Sequence, residues 1–190
     1  MKKILCILLL LLTGCSSKTS MIEIQKHVYV EKEFKDSWLE TNEFGDSYIK
    51  EELQGGYHYH FDQQFLEIFF NSGGKIELYN YSIKKNDLII SGEMIPPKTI
   101  RLVHPHLDNV TSEGVIIHEL GHYFDEKHQF SSSKQFTELY KKYRTLFNQK
   151  TKKEYFAEYF KEYVGGHQEK VKPFHSYMKT ITQKIRQKNK

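Results

Sequence analysis

The chain of 190 residues carries 28 Lys and Arg against 24 Asp and Glu, and 13 Tyr with 13 Phe bring its aromatic content to 14 %. That many aromatics exclude a disordered chain. A net charge of +4, part of it from Lys2 and Lys3, is too small to argue for a nucleic-acid partner, and no DNA- or RNA-binding signature accompanies it.

Lys2 and Lys3 precede an apolar run from Ile4 to Leu12, followed by Thr13-Gly14-Cys15. A short basic region, a brief apolar core and small residues before a cleavage point describe a secretory signal. The run is too short for a transmembrane helix, which needs about 20 residues. Leu-Thr-Gly-Cys also resembles the bacterial lipobox, which implies cleavage before Cys15 and a lipid on its thiol. Ordinary secretion with an incidental cysteine is the competing reading. The expected organisation is a lipoprotein signal peptide over 1–14, a lipidated polar tether over 15–21 and one domain over 22–190. The protein would then sit on the outer, extracytoplasmic face of a bacterial cell membrane, held there by acyl chains. With Cys6 in the leader and Cys15 lipidated, no cysteine remains for a disulfide. A domain of about 170 residues buries enough surface without one. It is expected to be a monomer.

Residues 22–30 alternate loosely and predict a strand, whereas 31–54 mix helical and loop signals. Gly55-Gly56 breaks the chain. Residues 62–70 have the apolar spacing of a short helix, stopped by Gly73-Gly74 in the manner of a glycine C-cap. Short strands are predicted over 75–81, 87–91 and 99–104, separated by polar residues and Pro96-Pro97. Beyond Asp108 the pattern becomes helical, over 112–126, 133–147 and 151–164, with a fourth helix after Pro173. Capping boxes, Ser132-x-x-Gln135 and Thr151-x-x-Glu154, announce the second and third. A small mixed sheet followed by a helical half is an α+β fold.

The chemistry concentrates in GVIIHELGHYFDEKH, Gly114 to His128. On a helix His118 and His122 project from one face a turn apart, so both imidazoles reach one ion. Glu119 beside them can then take a proton from water, the logic of H-E-x-x-H zinc peptidases. Ile116, Ile117, Leu120 and Phe124 form an apolar stripe on roughly the opposite side, and Gly121 admits another segment close to the ligand face.

Catalytic zinc usually takes three protein ligands, and the residues offer two completions. His128 would complete a metzincin-like H-E-x-x-H-x-x-G-x-x-H, except that Asp125 stands where the glycine allows a sharp turn. The other completion is a carboxylate from KKEYFAEYFKEY, Lys152 to Tyr163. There Glu154 and Glu158 share a face, while Phe156, Tyr159, Phe160 and Tyr163 occupy the core side. The bland reading makes Glu154 the acid of its capping box and Glu158 a solvated charge.

H-E-L-G-H-Y-F-D followed some 30 residues later by E-Y-F-A-E-Y-F resembles the catalytic domain of anthrax lethal factor and its smaller secreted relatives, the Pro-Pro endopeptidases. The likeness is strong over 114–163 and weak before it. It implies that His118, His122 and Glu154 are Zn2+ ligands and that Glu119 is the general base. Glu158 would orient a ligand from behind, as outer carboxylates do, and Asp125 is a candidate for the same task, or else an exposed helix-end acid. One position departs from the family: its tyrosine seven residues before the ligand glutamate is Phe147 here. A missing oxyanion donor costs about 100- to 1000-fold in rate, and Tyr143, one helical turn earlier, could substitute.

His58 and His60, and His104 and His106, have H-x-H spacing. They read as surface or sheet-face histidines or as a second metal site, and either of the later two could line the cleft. A protein or peptide substrate is expected to lie as an extended strand against a sheet edge, with 99–104 as that edge. The expected function is a membrane-anchored extracellular zinc endopeptidase. The alternative, kept open by Phe147, is a catalytically weak metal-binding lipoprotein that captures a partner through the same cleft.

Overall fold

Alternation sets the sheet. Val28, Val30, Ile76, Leu78, Ile100 and Leu102 are buried, while Tyr29, Glu77 and Arg101 between them stay partly exposed. The computed structural model describes residues 20–41, 45–85, 88–104, 113–145 and 151–188. The expected signal peptide, Cys15, His106 and Phe147 lie outside the described residues.

In chain order the strands are β1 (Met21–Gln25), β2 (Val28–Glu31), β3 (Lys75–Tyr79), β4 (Ile83–Lys85), β5 (Leu88–Ile90), β6 (Gly92–Ile95) and β7 (Thr99–Val103). The helices are α1 (Lys35–Leu39), α2 (Tyr48–Gln54), α3 (Gln64–Asn71), α4 (Val115–His128), α5 (Lys134–Tyr143), α6 (Lys152–Val164) and α7 (His175–Gln187). The sheet order is β1-β2-β3-β7-β6, with β4 and β5 paired separately. β2, β3 and β7 run parallel, and β1 and β6 close the two edges antiparallel. The fold is α+β, a mixed sheet followed by a helical half. Among the described residues no helix is long and apolar enough to cross a membrane.

Several expectations are corrected. The single strand over 22–30 is a hairpin, β1 and β2, turned at His27 with φ +67°. The ambiguous stretch 31–54 holds a 3-10 turn, α1 and α2. β7 is not an edge: it lies between β3 and β6. The edge is β6, which escaped notice because four residues ending at a Pro-Pro turn carry little periodicity. Ser133, not Ser132, caps α5, its hydroxyl accepting the Phe136 N–H at 3.2 Å. Thr151 caps α6 as expected, accepting the Glu154 N–H at 3.2 Å.

The core joins the sheet's inner face to α4 and α6. Phe65 meets Phe124 and Phe160 edge-on, at centroid distances of 5.9 and 5.4 Å. Phe136 packs against Phe156 and Phe174 beyond them. Burial of each such ring is worth about 1.5–3 kcal/mol, so α4 and α6 are anchored in the aromatic core.

Candidate metal centre

α4 begins at Gly114, whose φ of +71° no other residue type adopts as readily. Its N–H donates to the Gly55 carbonyl at 2.9 Å, which fixes where the helix enters. Ile116, Ile117, Leu120 and Phe124 are fully buried, so the core fixes the rotation of α4 and leaves His118 and His122 on its opposite face. α6 is oriented likewise by Phe156, Ala157, Tyr159 and Phe160, all fully buried. The helices touch at Gly121, where an added β-carbon would lie 2.9 Å from the Ala157 Cα and 3.2 Å from its carbonyl oxygen.

That contact brings three ligand atoms together. His118 Nε2 and His122 Nε2 are 3.1 Å apart, and Glu154 Oε2 is 3.3 Å from each. A tetrahedral ion with bonds of about 2.0–2.1 Å has ligand–ligand edges of about 3.3 Å. The triangle therefore fits a tetrahedral metal ion with its fourth corner open. Among the described residues this is the one group of three or more potential ligands.

The electrostatics without an ion are those of a site waiting for positive charge. Hydrogen bonds from His118 and His122 hold the Glu154 carboxyl well below the usual carboxylate range. Burial alone would lower the His118 imidazole, but hydrogen bonds to Glu154 and Glu158 and the charge of Glu119 push it up to about 9. Glu119 is 6 % exposed. Burial raises its pKa, partly offset by the two imidazoles, and the Met94 backbone N–H donates to its carboxylate.

Glu158 stands behind His118, its Oε2 3.3 Å from Nδ1, so the ring's second nitrogen donates to a carboxylate as expected. The other oxygen, Oε1, is 2.7 Å from Lys161 Nζ. Sequence reasoning missed Lys161, although its spacing of three from Glu158 and seven from Glu154 places it on the same face of α6.

Other expected site residues have other partners. Asp125 borders the cleft and is buried, but its two oxygens accept the Ser131 N–H and hydroxyl at 2.6 Å each. It is neither a ligand's partner nor an exposed acid; it fixes the turn after α4. His128 is not a third ligand. Lacking a glycine at Asp125, the helix continues unbroken to His128, and six residues of helix carry that ring about 240° round from His122. It packs on Phe130 and borders a separate concavity with Lys184 and Lys188. Tyr143 lies edge-on to Phe174 at 6.0 Å and does not wall the cleft.

His104 sits edge-on between Trp38 and Tyr48 and its Nε2 donates to the Ser37 carbonyl at 3.2 Å. His58 pairs with Glu113. Neither belongs to a second metal cluster among the described residues.

The cleft over the site has a volume of about 850 Å³. It follows Glu113, Gly114 and α4 as far as Glu126, with α6 on one side and the stretch Ile89 to Pro96 on the other. Comparison with known protein families returns no match, and comparison with characterised proteins returns no relative of significant similarity.

Proposed function

We propose that the protein is a zinc endopeptidase acting on extracellular or surface proteins, tethered to the outer face of a bacterial membrane through a lipid on Cys15. The observation that carries the catalytic part is the spacing of His118, His122 and Glu154 at the edges of a tetrahedron, with Glu119 next to it in a cleft. Two imidazoles and a carboxylate with an open fourth position are the donor set of catalytic zinc. The likeness of both motif helices to the lethal factor and Pro-Pro endopeptidase family points the same way, and so does the signal layout for the location.

Bound there, zinc would supply Lewis acidity, polarising a scissile carbonyl and acidifying water. The remaining work falls to the chain. Glu119, desolvated and held by the Met94 N–H, takes a proton from the attacking water and returns it to the leaving amine. The substrate is held by β6. Val103 N–H donates to the Ser91 carbonyl, so in this register Ser91, Glu93 and Ile95 turn their amides towards β7 and Gly92 and Met94 turn theirs outward. An extended peptide can pair with that edge. A cleft following the 12 residues of α4 from Val115 to Glu126 is about 18 Å long, room for about five residues of extended chain on both sides of the cut.

The second reading is a metal-dependent binding module. Among the described residues that wall the cleft there is no tyrosine, which leaves the oxyanion without a phenolic donor. A peptide library incubated with zinc-loaded wild type and with Glu119→Gln separates the readings. The peptidase reading expects cleavage by wild type, loss of at least about 100-fold in the variant and equal zinc content in both. Wild type that holds zinc and cleaves nothing rejects it in favour of the binding module.

A further inference from the structure

We propose that Lys161 is a positioning residue for the metal centre: by ion-pairing Glu158 it fixes the carboxylate that orients His118. This rests on the reading of His118 as a metal ligand and extends it by one residue outward.

Three observations carry it. Lys161 Nζ is 2.7 Å from Glu158 Oε1, and Glu158 Oε2 is 3.3 Å from His118 Nδ1, so each oxygen of one carboxylate has its own partner. The lysine is also nearly buried, its side chain only 16 % exposed. A solvated lysine on a cleft wall would extend into water; this one lies folded inward, Nζ 5.9 Å from the Tyr59 ring centre. Finally, its stem is held by shape. A β-carbon on Gly114 would come within 2.9 Å of Lys161 Cδ and 2.9 Å of the Tyr59 ring, so the glycine that starts α4 is also what makes room for the lysine.

The physical consequence concerns which way the His118 ring faces. A carboxylate with one free oxygen could rotate. With Oε1 held by the Lys161 ammonium, Oε2 stays aimed at Nδ1. Nδ1 therefore keeps its hydrogen, and Nε2 is the nitrogen turned to Glu154 and His122. Glu162 Oε1, 3.9 Å from Nζ, adds charge but no close hydrogen bond, since it accepts from Tyr59 instead.

The test is a charge series at one site on the full domain: Lys161→Met, Lys161→Arg and Lys161→Glu, with Glu158→Gln as the reference. Zinc affinity is read by competition with a chelator, and the His118 Nδ1–H is read by proton NMR in metal-free protein. Lys161→Met preserves the stem and removes the charge. It is expected to weaken zinc binding about tenfold, the lower end of the loss typical for outer partners of metal ligands, and to broaden the Nδ1–H signal. Lys161→Arg should restore both, and Lys161→Glu should be worse than Met.

If Met matches wild type while Arg fails, the residue only fills space and the proposal falls. It falls equally if peptide cleavage drops in Lys161→Met at unchanged zinc affinity and unchanged Nδ1–H, since the lysine then touches substrate. Absence of zinc uptake by wild type would reject the peptidase reading instead, and the NMR series would still decide on Lys161.

Discussion

Gly121 of α4 and Ala157 of α6 form the crossing point of the two ligand helices, and a β-carbon at Gly121 would sit 2.9 Å from the Ala157 Cα. The ligand triangle is one turn from this contact, so its edges depend on how closely the helices approach. Gly121→Ala must push α6 outward. Overpacking of this kind costs about 1–3 kcal/mol, and a lower melting temperature together with weaker zinc binding is expected. Ala157→Gly in the same chain should recover neither, because the clashing atoms are the Ala157 Cα and carbonyl oxygen, which glycine keeps. Full zinc affinity in Gly121→Ala alone would show that the crossing does not set the triangle.

Asp125→Ala separates a structural latch from a ligand's partner. Its carboxylate accepts two hydrogen bonds from Ser131, and hydrogen bonds to a charged group contribute about 1.5–3 kcal/mol each. The variant should lose several degrees of thermal stability yet bind zinc as wild type does. A loss of zinc affinity at unchanged melting temperature would reverse that assignment.

His128→Ala should leave zinc content unchanged, because the ring lies round the helix from His122 and packs on Phe130. Metal analysis of the purified variant checks this directly, and a metal-free product would restore His128 as a ligand.

The metal-free protein has a pH signature. The His118 pKa is raised in the fold to about 9, against an ordinary imidazole value of about 6.5. A raised value contributes stability that is fully present below the ordinary pKa and is lost as pH rises through the folded one. Glu154 is held low by its hydrogen bonds to the same rings, so its contribution is present above the ordinary carboxylate pKa of about 4.3 and fades as pH falls below it. Chelator-treated protein should thus melt highest between about pH 5 and 6.5 and lose stability from pH 7 to about 9. On the proposed reading zinc would displace the His118 proton, so zinc affinity should rise over that same interval. A metal-free melting temperature that climbs from pH 7 to 9 would contradict both.

Met94→Pro removes the amide that donates to Glu119 without taking one from the β6–β7 ladder, because that N–H faces away from β7. Hydrolysis is expected to fall, about 10- to 100-fold if the carboxylate loses its alignment, with zinc content preserved. Unchanged turnover would mean that Glu119 holds its place without β6.

The residues of the candidate metal site were legible in the sequence because helices convert spacing into direction. His118 and His122, four apart, and Glu154 and Glu158, four apart, each had to share a face, and the buried aromatics on the other side indicated which way each face turned. Gly121 was readable as a point of close approach for the same reason. Asp125 and Tyr143 were not, since the Ser131 hydrogen bonds of the first and the Phe174 ring contact of the second are set by packing that spacing does not encode. The edge strand was the largest miss. Residues 22–30, 75–81 and 99–104 all read as strands, but the order of the strands across the sheet comes from long-range pairing, and only that order reveals which strand is the edge.

That free margin has an uneven supply of bonds. Of the two outward residues of β6, Met94 gives its hydrogen to Glu119, whereas Gly92, which also borders the cleft, carries no side chain beside its amide and carbonyl. A visiting chain would be gripped most firmly one step away from the proton acceptor, and whatever sits opposite Gly92 would decide how far along the groove the remainder slides before anything is cut.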